Sequence, residues 1–429
     1  MADGRRPVAR GRTFWGIAGD LFFFGVGASF AGQTTVIPSF LATLTQSAPL
    51  IGLASTIVTG GWLIPQLFVA NRLAGLTRRK AADAIPAAVG RTVALLMGPA
   101  VLFLVPRSLP TTLVVFLLMY LVFWITDGIA SIAWLDILGR CLTAPARARL
   151  ISIGTVAQGI AGIGIGVLVG VVLSTPALPW PRNYAVLFTL SAVAMTLSLG
   201  SFLFIKEEPE AIPTKPLPWP DYFRRLASVV RSDPDFRRAI ATQLALGGVG
   251  IAAPYYIING LEKLGFPSSS IGFFTSVQLV GGVFSTLLLG LLGERRGTRS
   301  VMRVWGCLAM VPPLLALAGP GLGSLFPSIT LYLYAVIFMV VGVQGNANMA
   351  GFLNWVLEYA PASDRPMYIG FANTLNGVTL IMPLLGGWIL AASGSYPALF
   401  VVAAVGPVIS LFLMRRLPEP RRSTSSFEA

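Results

Sequence analysis

Long apolar runs separated by short polar connections dominate the chain. Each run is about as long as the 20 or so residues that a helix needs to cross a bilayer. The pattern predicts an all-α polytopic membrane protein with 12 transmembrane helices in two pseudo-symmetric six-helix bundles. The predicted spans are residues 12–36, 48–70, 84–105, 109–138, 150–174, 183–205, 238–260, 268–292, 299–318, 327–357, 366–392 and 394–414.

The widest polar connection divides the chain into two halves. Residues 1–205 form the predicted N-terminal six-helix bundle, residues 206–237 a cytoplasmic linker, and residues 238–429 the C-terminal bundle with a cytoplasmic tail. The first part of the linker is charged and Pro-rich, which does not continue a helix. Its second part places apolar side chains on one helical face, which predicts an amphipathic helix on the membrane surface. A plain solvated linker is the alternative.

An internal repeat supports two related halves. One marker surrounds the fourth connection and recurs around the tenth, and a second marker, residues 71–80, recurs as residues 290–299 at nearly the same offset. Fused six-helix halves are typical of transporters. The residues of the first marker are Pro145, Arg149 and Gly154, which recur as Pro361, Arg365 and Gly370.

The basic residues fall almost entirely in alternate connections and in the two tails. By the positive-inside rule, this distribution places both termini in the cytoplasm and favours an even number of spans. The net charge of +14 therefore orients the protein and suits contact with membrane lipids, so we expect no nucleic-acid partner. Only 11% of the residues are charged, whereas soluble domains have about 25%. This low share also favours a membrane protein.

Two scarce residue types narrow the chemistry. The chain has no histidine, which excludes Ser-His-Asp hydrolysis, histidine zinc motifs and histidine proton relays. Its two cysteines, Cys141 and Cys307, match no metal spacing and are expected to be incidental packing residues. No nucleotide-binding loop is recognisable, so ATP is not expected as direct fuel. We expect no cofactor, no metal and no enzymatic activity.

Three charged residues lie well inside predicted spans, away from the span ends. Asp20 lies in the first span and Asp127 in the fourth, where an ionised acid is costly and marks a functional pathway by default. Both are candidates for proton coupling. Arg91 in the third span stays charged and needs a partner, for which either acid could serve, so we assign it to a structural ion pair. The alternatives are that the acids too are structural, or that Asp20 reaches the cytoplasmic interface.

Polar amides and aromatic residues in the spans suggest an amphipathic substrate cavity. Buried amides are costly unless they face a polar cavity or one another. Such a cavity suits an uncharged or lipophilic solute better than a phosphorylated sugar. The alternative is that the amides make interhelical hydrogen bonds and the aromatic residues face lipid or the core. The candidate residues are Gln33, Trp124, Gln243, Tyr255, Tyr256, Gln344, Asn346 and Asn348.

The eighth connection carries Glu294, Arg295 and Arg299 at the predicted cytoplasmic end of a helix pair. Arginine donors there can bridge the acid and the exposed carbonyls of a neighbouring helix end. Asp136 and Glu358, near the ends of the fourth and tenth spans, are possible partners. We predict a cytoplasmic gate from these residues, with a solvated charge run as the alternative.

The run GLLGERRGTR, from Gly290 to Arg299, resembles a signature of the major facilitator superfamily, Gly-x-Leu-x-Asp-Arg-x-Gly-Arg-Arg. Glu294 replaces the usual Asp. The first-half copy lacks the acid and the first Arg, because Gly75 and Leu76 stand there. The stretch from Asn354 to Gly370 is also similar to uncharacterised bacterial members of this superfamily.

The resemblance implies two six-helix bundles that rock around a central site lined by the first, fourth, seventh and tenth helices. The sequence is therefore identified as a secondary active transporter, with proton-coupled export of a small, mostly apolar compound as the specific expectation. A monomer in the bacterial inner membrane is expected. A nutrient importer is the nearest alternative, and a membrane lipid enzyme or a non-transporting receptor are alternatives of a different class.

Overall fold

The computed structural model describes residues 10–73, 80–142, 144–207, 224, 231–361 and 365–420. The helices of the first half pack α4 against α5 and α7, and α1 against α6 and α7. Their bounds are α1 (Arg10–Phe30), α2 (Val36–Leu44), α3 (Ala48–Leu73), α4 (Lys80–Leu104), α5 (Leu109–Cys141), α6 (Ala144–Ser174) and α7 (Arg182–Leu203).

The helices of the second half pack α10 against α13, and α17 against α8, α11 and α12. Their bounds are α8 (Pro234–Gly247), α9 (Tyr255–Glu262), α10 (Ser270–Arg296), α11 (Thr298–Ala309), α12 (Val311–Leu325), α13 (Pro327–Ala347), α14 (Asn354–Tyr359), α15 (Arg365–Asn376), α16 (Met382–Ser393) and α17 (Tyr396–Met414).

Within the described residues, 12 helical segments are long and apolar enough to cross a membrane. The prediction of an all-α membrane protein with 12 spans is confirmed. The first span differs in detail from its predicted range of 12–36, because α1 ends at Phe30 and α2 begins at Val36. Gly32 and the β-branched Thr34 and Thr35 between them are weak helix formers, which accounts for the break.

The chain divides into two compact units. The first comprises Met1–Thr45 and Ile57–Leu217, and the second Gln46–Thr56 and Pro218–Ala429. The amphipathic helix predicted in the linker falls mostly on residues 208–223 and 225–230, which lie outside the described residues.

Aromatic rings fill the centre of the first unit. The ring of Phe40 in α2 lies 5.0 Å from those of Phe116 in α5 and Phe188 in α7, measured between centroids. Such edge-on pairs add to the free energy gained by burying the rings. The short helix α2 is therefore held inside the unit by its aromatic side chain.

Four spans of the second unit are interrupted helices. A 3₁₀ turn, Gly248–Ile251, separates α8 from α9, and another, Gly377–Ile381, separates α15 from α16. A π-helical segment, Asn348–Leu353, joins α13 to α14. The break between α11 and α12 lies at Met310, just before a pair of prolines that cannot donate helix hydrogen bonds. Irregular backbone at membrane depth is tolerated where protein or a water-filled cavity surrounds it.

Glycine allows two of these interrupted spans to approach closely. A Cβ added at Gly386 in α16 would lie only 1.9 Å from the carbonyl oxygen of Ile251. Beside this contact, the buried Tyr255 hydroxyl donates a hydrogen bond to the carbonyl of Pro383 over 2.8 Å. Any side chain at Gly386 would force these two backbone segments apart.

We expect Gly386→Ala to destabilise the second unit by about 1–3 kcal/mol, since overpacking of a tight contact costs that much. The measurement is thermal unfolding of the purified protein in detergent. The control is Gly290→Ala in α10, where an added Cβ meets nothing within 4 Å. Equal melting temperatures for the two variants would contradict the close approach.

Candidate functional site

A buried ion pair joins α4 and α5 in the first unit. Nη1 of Arg91 lies 2.9 Å from Oδ1 of Asp127, and the two residues are only 6% and 7% exposed. The guanidinium also lies 5.3 Å from the ring centres of both Phe24 and Phe123. Its Nε is buried and has no hydrogen-bond partner among the described residues. Aromatic faces attract a desolvated cation. The positive charge of Arg91 is therefore stabilised by two rings and one carboxylate.

Asp20 connects three helices of the same unit. Its carboxylate accepts a hydrogen bond from Nε1 of Trp134 in α5 over 2.7 Å and another from Oγ of Ser198 in α7. Trp134 follows Asp127 by seven residues, about 10 Å along the helix. The two predicted coupling acids therefore lie at different levels of one unit, and both are within electrostatic range of Arg91.

A small cavity of about 40 Å³ lies next to the ion pair in the first unit. Phe123 lines this cavity and also contacts the Arg91 guanidinium, so one ring borders both features. The volume is enough for a few water molecules. Most of the lining is apolar or aromatic, and the predicted residues Gln33 and Trp124 are part of it. The other prominent lining residues are Met97, Tyr120, Phe188 and Met195.

A cluster of amides joins three interrupted spans of the second unit. Nε2 of Gln243 in α8 donates to Oδ1 of Asn348 over 3.0 Å and to Oδ1 of Asn376 over 3.2 Å. Asn348 begins the π-helical segment, and Asn376 immediately precedes the second 3₁₀ turn. Oε1 of Gln243 is buried and accepts no hydrogen bond within the described part of the chain. The cluster thus contains one buried acceptor, Oε1 of Gln243, that no described group satisfies.

Asn376 was not among the residues that the sequence singled out. The available signal was an amide inside an apolar run, directly before Gly377. Periodicity alone did not predict that the helix changes to a 3₁₀ turn there. The interruption is what places Asn376 against Gln243.

The other predicted cavity residues differ in their surroundings. Nε2 of Gln344 is buried without a partner among the described residues. Tyr255 and Tyr256 are almost fully buried, and the ring of Tyr256 stacks on Phe400 with centroids 5.3 Å apart. The side chain of Asn346 lies outside the described part of the structure.

The signature run ends in a tight turn that is hydrogen-bonded to the C-terminal end of α17. Nη2 of Arg299 donates to the carbonyls of Met414 and Arg415 over 3.2 and 2.9 Å. These carbonyls lie at a helix C-terminus, where a cation is favourable. Gly297 permits the turn between α10 and α11, because its φ of +84° is in the left-handed region. Glu419, which sequence reasoning missed, accepts a hydrogen bond from the backbone N–H of Arg299 over 3.2 Å.

The remaining predicted gate residues are spread over both units. In the second, Glu358 accepts a hydrogen bond from Oγ1 of Thr298 over 3.1 Å, while Glu294 and Arg295 are exposed. Asp136 belongs to α5 of the first unit, and its Oδ2 is buried. Arg299 thus contacts the end of α17, and Glu358 contacts the first residue of α11.

The sequence of the second half matches a known family. The family model of the Major Facilitator Superfamily matches residues 238–429. This second half of the chain is therefore similar to the major facilitator superfamily. Three solved transporters share its fold: a D-xylose-proton symporter (15% identity, TM-score 0.69, 95% of this chain and 98% of that one), the nucleoside transporter NupG (14%, 0.67, 94% and 98%) and a bacterial homologue of the iron transporter ferroportin (16%, 0.64, 96% and 99%).

Curated sequence relatives come from mycobacteria. The uncharacterized proteins Rv2209 of Mycobacterium tuberculosis and Mb2232 of Mycobacterium bovis are each 23% identical to this chain over 295 residues, or 67% of its length. The chain spans about half the length of these relatives, with 56% of each covered.

These comparisons agree with the fold described above. The described residues contain 12 helical segments that are long and apolar enough to cross a membrane, and the solved transporters share the fold of this chain. The direction of transport, the coupling ion and the substrate class have to be inferred from the residues of this chain itself.

We expect Arg91→Met to lower the stability of the protein by about 3–5 kcal/mol, because it leaves the buried Asp127 carboxylate without its partner. The double variant Arg91→Met/Asp127→Leu removes both charges and should recover most of that loss. The measurement is the melting temperature of each purified variant in detergent.

The matched control is the exposed pair between Arg238 and Asp235, whose side chains are 41% and 33% accessible. Arg238→Met should change stability by less than about 1 kcal/mol. A double variant at Arg91 and Asp127 that is no more stable than the single one would contradict the pairing.

We expect Arg299→Ala to destabilise the protein by about 1–3 kcal/mol, since it removes the charged donor to two helix-end carbonyls. Arg295→Ala, four residues away in the same run, should change stability by less than about 0.5 kcal/mol because that side chain is exposed. Thermal unfolding compares the two variants. A larger effect at Arg295 would overturn this distinction.

Proposed function

We propose that this protein is a proton-coupled secondary transporter that exports a small, mostly apolar organic compound. The observation that carries the proposal is that Phe123 contacts both the Arg91 guanidinium and the aromatic cavity. A cavity with a mostly apolar lining and a buried ion pair thus share one side chain. Such sharing gives a physical route by which solute and proton can influence each other.

Coupling follows from the ion pair. A proton on Asp127 removes the negative charge that holds Arg91, so the guanidinium then depends on Phe24, Phe123 and nearby polar groups. A solute that moves the ring of Phe123 from the cavity side also weakens the contact of this ring with the Arg91 guanidinium. Two ligands that bias one two-state element have coupled binding free energies. In this proposal Asp127 and Asp20 load and release the transported proton.

The amide cluster of the second unit supplies polar recognition. The spare acceptor of Gln243 suits a hydroxyl or N–H group on an otherwise apolar compound, since a buried unpaired acceptor favours a ligand that satisfies it. Further amides and aromatic residues complete the proposed lining. These are Gln33, Trp124, Tyr255, Tyr256, Gln344, Asn346 and Asn348.

The gate belongs to the proposal as well. Glu294, Arg295 and Arg299 belong to the signature run, and we assign them to closure of the cytoplasmic side, with Glu358 of the same unit as a partner acid. The contacts of Arg299 with the end of α17 support a role in fixing helix ends. The protein acts as a monomer in a bacterial inner membrane with both termini in the cytoplasm, in contact with lipids.

A nutrient importer is the second candidate function. The fold neighbours include a symporter named for D-xylose and protons and a nucleoside transporter, and the amide cluster would also suit a hydroxylated solute. Accumulation of solute inside cells, rather than its removal, is the observation that separates the two directions.

We expect Asp127→Asn to abolish proton-driven efflux while the protein still folds. An amide keeps the shape of the side chain but does not bind and release a proton near neutral pH. The measurement is efflux of a panel of fluorescent lipophilic compounds from energised cells, with and without collapse of the proton gradient. Asp235→Asn, at a partly exposed ion pair, is the matched control.

Gradient-dependent efflux at wild-type rate in Asp127→Asn would remove this acid from the mechanism. No efflux of any compound by the wild type would favour import, to be tested by uptake of hydroxylated nutrients into the same cells.

A further inference from the structure

A third acid of the first unit, Asp83, lies in the first turn of α4 and is 4% exposed. Sequence reasoning did not single it out. Among the residues that the structure describes, no group forms a hydrogen bond or ion pair with its carboxyl group. An isolated ionised carboxylate removed from water is very costly. An acid in such a place therefore calls for a ligand that neutralises it.

Two described cations of α4, Lys80 and Arg91, have other partners than Asp83. Lys80, three residues earlier, directs its Nζ to the carbonyls of Leu203 and Ile205, each at 2.6 Å. Arg91, eight residues later on the same helix, pairs with Asp127. Neither side chain forms an ion pair with Asp83.

The charged groups in electrostatic range of Asp83 come from three helices. They are Asp20 from α1, Arg91 from α4 itself and Asp127 from α5. Helix α7, which also packs on α4, contributes the uncharged Ser198 to this region through its hydrogen bond to Asp20. Within the described part of the chain, these three acids thus share one cation, Arg91. One ionised acid balances Arg91, and the other two have no counter-charge in this set.

Asp83 and Asp20 lie toward the same end of the unit from the Arg91–Asp127 pair. Asp83 and Arg91 are about 12 Å apart along α4, by the helix rise. A short connection reverses the chain from α4 to α5, so Trp134, which donates a hydrogen bond to Asp20, lies on the Asp83 side of Asp127. Asp83 and Asp20 therefore both lie between the N-terminal end of α4 and the buried pair.

We propose that Asp83 is a proton-binding site, a member of the row of acids Asp83, Asp20 and Asp127 through which protons reach the Arg91–Asp127 pair. This inference rests on the proposed proton coupling for its purpose. The occupancy of Asp83 by an exchangeable proton is a separate property that does not need transport to be measured. The row gives the buried pair a polar connection to the end of α4 through side chains of one unit.

The test is infrared spectroscopy of the purified full chain in detergent near neutral pH, in water and in heavy water. The wild type should show the C=O stretching band of a protonated carboxylic acid, and this band should shift in heavy water. Asp83→Asn should lose that band component. Asp235→Asn, at a partly exposed ion pair, should retain it.

A second measurement uses the wild type alone, in case the variant folds poorly. Dicyclohexylcarbodiimide, an apolar reagent, adds to protonated carboxyl groups and leaves an acylurea that mass spectrometry locates. Peptides containing Asp83 should carry the adduct, less of it as the pH rises, whereas those containing Asp235 should not. Absence of both the infrared component and the adduct would show that Asp83 is ionised and would overturn the proposal.

Transport separates this inference from the proposed function. If the wild type couples efflux to protons, Asp83→Asn should shift the pH profile of efflux and Asp83→Glu should restore it, which a merely structural role would not do. An unchanged pH profile in Asp83→Asn would remove Asp83 from the row. A protonated Asp83 in a protein without proton-driven transport would refute the coupling and leave the binding site standing.

Discussion

A charge inside the bilayer must be balanced by the protein itself, because lipid offers no counter-ion and no water. In the first unit this constraint fixes the positions of α1, α4, α5 and α7. Arg91 requires Asp127, and the two aromatic rings beside it require α1 and α5 to approach α4. Asp20 adds links from α1 to α5 and to α7. The charged groups thus specify the arrangement of helices that are otherwise uniformly apolar.

The second unit meets a different constraint with different groups. Its interrupted spans release backbone carbonyls and N–H groups, which need partners at membrane depth. Amide side chains also lie at these interruptions, and each carries both a donor and an acceptor. Gln243, Asn348 and Asn376 link the three interrupted spans that contribute them. The central polar cluster of the first unit is thus built on charged groups, and that of the second unit on neutral amides.

Sequence reasoning reached the span count and the fold class because hydrophobicity and length are local properties of each run. It also selected Asp20, Arg91 and Asp127, since any charge within a span is conspicuous. It missed Asp83, whose place three residues into α4 is typical of a harmless interfacial acid, and Asn376, whose partner depends on a helix break. The burial of Asp83 and the contact of Asn376 both depend on neighbours that are distant in the chain. The local hydrophobic pattern does not predict such contacts.

The position of Phe123 has a consequence for how this protein can change over evolutionary time. Its ring forms part of the cavity wall and part of the Arg91 environment. A substitution that reshapes the wall at this ring also alters the surroundings of the cation. In the proposed transporter, solute preference and the energetics of the ion pair would therefore be inherited together. New specificity would be acquired more readily at lining positions away from this ring, such as Met97 and Met195.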